Sequence, residues 1–157
     1  MTRIHLPIYL RWGDQDAFGH VNNVTLLQHL EEARVRAFWL HEQRSQSLPT
    51  AVFDEGLRID GSAPVLPLIA RNEVEYLAPI PYRQAPLEVQ MWFARLGGSS
   101  AELCYEVFVP GDAAPSARAA TTLVMVSEET MRPVRLPALA RRAWEPYVEE
   151  PIRFTRR

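Results

Sequence analysis

From Val24 to about Gln43, apolar side chains recur at helical spacing. Stepping about 100° per residue gathers Leu26, Leu27, Leu30, Ala33, Ala37, Phe38 and Leu40 on one side, with Thr25, Gln28, His29, Glu32 and Arg36 opposite. Arg34 intrudes on the apolar side, where a carboxylate such as Glu31, one turn earlier, would pair with it. Either Asn22 or Asn23 supplies a side-chain oxygen able to cap the first free N–H groups of this helix. Later the period changes to two. Asn72, Val74 and Tyr76 alternate with polar neighbours, as do Leu87, Val89, Met91 and Phe93, then Leu103, Tyr105, Val107 and Val109. A further run covers roughly Ala117 to Ser127, and residues 4–12 read as extended, with Pro7 placing them near a sheet edge. The segments APIPYRQAP, LGGSS and PGDAAPS are turn material, the last two short enough for antiparallel hairpins.

Residues 45–70 lack a clear period and read as loop, and Pro137–Trp144 is a short helical candidate in the tail that starts near residue 130. No repeat, low-complexity tract or linker divides the chain, so residues 1–157 form one domain. The order is strand, loop, long helix, four strands. It predicts an α+β layer architecture in which one helix lies across a five-stranded antiparallel sheet. One helix leaves sheet edges uncovered, which favours self-association.

Composition narrows the chemistry. Hydrophobic residues make up 47% of the chain and the formal net charge is −2, a packed globule with no general affinity for nucleic acid. All 17 basic residues are arginine, so lysine Schiff-base chemistry and a P-loop are excluded. Cys104 is the only cysteine, which rules out an intrachain disulfide and fits a reducing compartment. No leader-like or membrane-spanning apolar run is present, and the expectation is a cytoplasmic protein without membrane contact. His20, His29, Glu32 and His41 form no HExxH-like pattern, so no metal or cofactor is expected.

The segment Asp14-Gln-Asp-Ala-Phe-Gly-His-Val-Asn-Asn23 concentrates polar groups just before the helix. Asp16 can serve as a base or nucleophile, and His20 can donate, accept or orient. The helix start offers unpaired N–H groups and the positive end of a macrodipole, which suit a developing oxyanion. The plainer reading has Asp14 and Asp16 forming turns, Gly19 supplying a special backbone angle and Asn22 capping the helix. Ser99 and Ser100 have no G-x-S-x-G elbow around them and read as a hairpin turn, from which a serine can still touch ligand. Arg71, Arg83 and Arg95 are scattered cations able to meet phosphates. Cys104 has no cationic sequence neighbour and does not read as a nucleophile.

RWGDQDAFGHVNN followed by LEEAR resembles the hotdog thioesterases of the 4-hydroxybenzoyl-CoA thioesterase class, nearest their bacterial acyl-CoA members. The spacing to VEYLAP, to the GGSS hairpin and to the T-x-R-P-x-x-L-P tail extends the resemblance over residues 5–137. It implies a hotdog fold, one long helix wrapped by a five-stranded sheet. It also implies hydrolysis of an acyl-CoA or acyl-carrier-protein thioester by a homodimer or a tetramer of dimers. The family aspartate falls on Asp16, the carbonyl-polarising backbone N–H on Asn23, and the histidine used by plant relatives on His20. Asn22, Leu26 and Ser99 become substrate-binding candidates. Phe18 stands where plant relatives have asparagine, which shifts weight onto Asp16, and Leu26 stands where many bacterial relatives have tyrosine, which makes the nearby pocket more apolar. Two other readings remain: a hydroxyacyl-thioester dehydratase using His20 with Glu32, and a non-catalytic acyl-CoA binding module.

Overall fold

The computed structural model describes residues 2–155. Five strands form one antiparallel sheet: β1 (Ile4–Ile8), β2 (Val65–Tyr76), β3 (Leu87–Leu96), β4 (Ser100–Phe108) and β5 (Ala117–Ser127), in the order β1-β3-β4-β5-β2. The helix α1 (Asn23–Phe38) precedes β2, and α2 (Ala138–Trp144) follows β5. The α+β architecture of a sheet with a helix is as the pattern predicts.

One face of the sheet is apolar because its strands alternate. Leu87, Val89, Met91 and Phe93 of β3, Leu103, Tyr105 and Val107 of β4, and Ala117, Ala119 and Met125 of β5 join a core with Leu26, Leu30, Ala33, Ala37 and Phe38 of α1. Phe93 and Trp144 stack with ring centroids 5.0 Å apart, and Phe38 lies 5.1 Å from Trp144, whose Nε1–H donates to the Thr50 carbonyl at 2.8 Å. Thus α2 plugs one end of the core.

Residues 148–155 cover part of the opposite face. Val148 bridges Phe93, the Trp92 indole N–H donates to the Glu150 carbonyl at 2.8 Å, and the Thr155 N–H donates to Glu75 at 2.8 Å. Arg3 lies 3.7 Å over the Trp92 ring and pairs with Glu149 at 2.8 Å and Glu106 at 2.6 Å.

Several expectations need correction. The helix ends at Phe38, not near Gln43, because Trp39 turns extended (φ −91°, ψ 141°) and the Phe38 carbonyl is taken by the N–H groups of Val52 and Phe53. The strand β2 starts at Val65, inside the stretch read as loop. Its first half runs along a sheet edge, where Pro67 is tolerated and a bulge between Ile69 and Arg71 breaks the alternation. Residues after Ile8 leave β1, and Trp12–Asp14 form a single 3-10 turn. Arg34 does not pair with Glu31; it donates to the Tyr105 hydroxyl at 3.0 Å. His29 is not on a solvated face but 8% exposed. No helix among the described residues is long and apolar enough to cross a membrane.

Candidate active site

Residues 14–22 fold into a miniature hairpin between β1 and α1. Gln15 bridges Val21, the Asp16 N–H donates to the His20 carbonyl at 2.8 Å, and the Gly19 N–H returns to the Asp16 carbonyl at 3.1 Å. The tip requires a positive φ at Gly19 (79°), a conformation that glycine enters without steric cost. The second arm is anchored in turn. The Val21 N–H donates to the Ile80 carbonyl at 2.8 Å and His20 bridges Pro81.

Asp16 sits at the neck of this turn, half-buried. Its Oδ1 accepts from the Phe18 N–H at 2.9 Å and the His20 N–H at 3.4 Å, while its Oδ2 has no hydrogen-bond partner among the described residues. The carboxylate is therefore fixed by backbone and keeps one oxygen open. Asn22 caps α1, its Oδ1 accepting from the Val24 N–H at 2.9 Å. The Asn23 N–H, first in the helix, has no acceptor among the described residues, so the positive end of α1 carries an open donor.

Beside the helix start lies an open groove of about 340 Å³, lined by His20, Val21, Leu26 and Tyr76–Ile80. Leu26 is 2% exposed, so it forms the floor, whereas His20 stands exposed at the rim. Asp16 and Asn23 border this end of α1 without lining the groove. The Tyr76 hydroxyl donates to the Asn23 carbonyl at 3.0 Å, and burial raises the Tyr76 hydroxyl pKa. Sequence reasoning passed over Tyr76, whose only signal was its place at the end of an alternating strand.

The structure thus brings Asp16, His20, Asn22, Asn23 and Leu26 together. Ser99 is elsewhere. It lies in the β3–β4 hairpin, its carbonyl accepting from the Met125 N–H at 2.9 Å. That hairpin follows Leu96, whereas the segment leading to Asp16 leaves β1 at Ile8 opposite Leu87, at the other end of β3. Arg71, Arg83 and Arg95 are exposed and do not line this groove. Cys104 is fully buried on the opposite sheet face, and burial pushes its thiol up to about 11. No three His, Cys, Asp or Glu side chains among the described residues cluster so as to hold a metal ion.

Asp14, read in sequence as a turn former, is the buried member of the segment. Its Oδ2 accepts from the Arg11 N–H at 2.7 Å and faces His29 Nε2 at 2.8 Å. Burial raises its pKa, but the Arg11 N–H, the His29 hydrogen bond and the neighbouring positive charges outweigh that cost and hold the carboxyl below the usual range.

Solved structures resemble the chain along nearly its whole length. A protein of Pseudomonas aeruginosa called PA2801 is 31% identical, with 90% of this chain and 95% of that one covered and a TM-score of 0.66. A thioesterase of Thermus thermophilus, solved in complex with coenzyme A and Zn, is 28% identical over 94% of this chain and 96% of that one, with a TM-score of 0.66. A predicted thioesterase of Bacillus stearothermophilus, 24% identical over 96% and 99%, shares the fold with a TM-score of 0.74. No curated protein matches the chain. The family model described as Thioesterase-like superfamily matches residues 10–144.

Proposed function

Because the chain belongs to the thioesterase-like superfamily, we propose that it hydrolyses an acyl-CoA-type thioester to free acid and thiol, with Asp16 as general base or nucleophile. The observation that carries this reading is an open carboxylate oxygen on Asp16 and an open N–H on Asn23, on the two sides of the short hairpin whose His20 and Val21 line the groove. Coenzyme A in the Thermus thermophilus relative supports a CoA-type thiol.

In this scheme the Asn23 N–H and the positive end of α1 polarise the acyl carbonyl. In the general-base route Asp16 takes a proton from water as the hydroxide adds to the carbonyl carbon. The tetrahedral intermediate then expels the thiolate, which recovers the proton from Asp16. In the covalent route an Asp16 oxygen adds instead, the C–S bond breaks, and water opens the resulting mixed anhydride. Leu26 and the Tyr76–Ile80 segment form the apolar wall for the acyl group, Asn22 holds the helix start in place, and His20 orients the thioester from the rim. The fold is of hotdog type, and the working unit is a homodimer, alone or paired into a tetramer. The free edge of β2, 12 residues long, is the surface through which two sheets would join. Ser99 joins a site only in such an assembly.

The test is Asp16→Asn. The amide oxygen still accepts from the Phe18 N–H, so the turn is retained. Thiol release from a panel of acyl-CoA substrates should fall about 10²- to 10⁴-fold with an unchanged melting curve. His20→Ala should cost less. Single turnover in ¹⁸O-water separates the routes, because only the covalent one places label in the Asp16 carboxylate. An Asp16→Asn protein as fast as the parent on every substrate would refute the assignment.

A further inference from the structure

The buried pair behind the hairpin takes no part in the chemistry above. Among the described residues, Asp14 (3% exposed) is the only carboxylate and His29 (8% exposed) the only imidazole that are buried. Burying a charge is costly unless it is paired and hydrogen-bonded. Here the contacts of Asp14 reach three parts of the site's frame, at Arg11, Asn22 and His29. Its Oδ2 holds the Arg11 N–H at 2.7 Å, where the chain enters the hairpin, and its Oδ1 receives Arg11 Nε at 3.3 Å and Nη2 at 3.2 Å. Its carbonyl accepts from the Asn22 N–H at 2.9 Å, where the chain leaves the hairpin to start α1. His29 Nε2, from the second turn of that helix, reaches Oδ2 at 2.8 Å. With a carboxylate as acceptor, the proton is carried on Nε2.

We infer that Asp14 and His29 are a positioning pair that sets where Asp16 and the Asn23 N–H stand relative to each other, and hence to a substrate carbonyl. The inference rests on the thioesterase reading and deepens it. Asp16 follows Asp14 by two residues, and its N–H pairs with His20 across the hairpin. Asn23 follows Asn22, which Asp14 holds directly. The two reacting partners therefore hang from the two ends of one short hairpin, and Asp14 grips both ends while His29 ties that grip to the body of the helix. The pair touches no part of the groove where substrate is placed, so its action is on geometry. A shift of about 1 Å in such a frame is enough to cost about a hundredfold in rate.

A simple staple for folding would behave differently, and the test is built on that difference. His29→Phe removes the donor and keeps an aromatic ring; His29→Gln keeps an N–H donor. Thiol-release kinetics on acyl-CoA and ¹⁵N–¹H spectra of the full chain are recorded for the parent and both variants. Positioning predicts that H29F lowers kcat at least tenfold with KM within about twofold, that H29Q recovers most of kcat, and that the Asp16, Asn22 and Asn23 amide signals move in H29F. Parental kcat in H29F, no rescue by H29Q, or unmoved amide signals would each overturn the inference. If H29F does not fold, D14N, which keeps the side chain's shape, takes its place with the same expected loss of kcat and the same amide shifts. If the parent protein releases no thiol from any substrate, the thioesterase reading fails, while the amide signals still decide whether the pair holds this frame.

Discussion

The Tyr76 hydroxyl donates to the Asn23 carbonyl at 3.0 Å, joining the last residue of β2 to the first residue of α1. This bond reaches the residue whose own N–H has no acceptor among the described residues, so the sheet edge steadies the start of the helix. Tyr76→Phe removes the bond without changing the ring. It should lower stability by about 0.5–1.5 kcal/mol, read from urea midpoints, and reduce kcat by a few fold. A variant with parental kinetics would show that the first turn is held without β2.

Acid should unfold the protein through its paired carboxylates. Burial raises the Asp14 pKa but its donors lower it further, the His5 hydrogen bond lowers that of Glu88, and the Arg3 hydrogen bond lowers that of Glu149. Each carboxyl is a stronger acid folded than unfolded. Its contribution is complete above the unfolded pKa of about 4 and is lost as pH falls through the lower folded value. Urea midpoints should therefore be level from pH 7 to about pH 5 and fall steeply below about pH 4. For Asp14→Asn, the gap to the parent should shrink on the acid side. A gap constant from pH 7 to pH 3 would contradict the assignment.

Cys104 should be silent in the folded state. The thiol is fully buried beneath residues 148–155 and pushed up to about 11 by that burial. A disulfide reagent at pH 8 should leave it unmodified for hours and label it fully in guanidinium. Labelling of the native protein within minutes would mean that this tail lifts from the sheet.

Trp144 closes the aromatic cluster with Phe38 and Phe93 and is fully buried. Trp144→Ala should cost about 3–5 kcal/mol, read as a large drop in the urea midpoint. A loss below about 1 kcal/mol would indicate that α2 is not part of the cooperative unit.

The residues that the sequence placed best are those governed by short-range rules. Strands β3, β4 and β5 were legible because each buries one face against the core, which sets a period of two broken only locally, where Trp92 and Cys104 are buried on the other face. Asn22 was legible as a cap and Asp16 as a turn residue for the same reason. What stayed hidden depends on partners distant in the chain. His29 sits among polar neighbours on the helical wheel, and only Asp14, brought beside it by the hairpin, explains its burial. Arg34 looked like half of a helix ion pair, yet its partner is Tyr105 on β4. The first half of β2 escaped because an edge strand need not alternate, and the end of α1 because the Phe38 carbonyl pairs with residues 52 and 53.

The strap over the sheet's far face has a consequence for the order of assembly. Every strand is present once Ser127 has been made, but Trp92 and Cys104 stay uncovered until residues 148–155 arrive. A chain made from its N-terminal side would therefore have all five strands before the segment that dries one side of the sheet. Arg3, whose guanidinium lies over Trp92, would lack its Glu149 partner until that strap arrived.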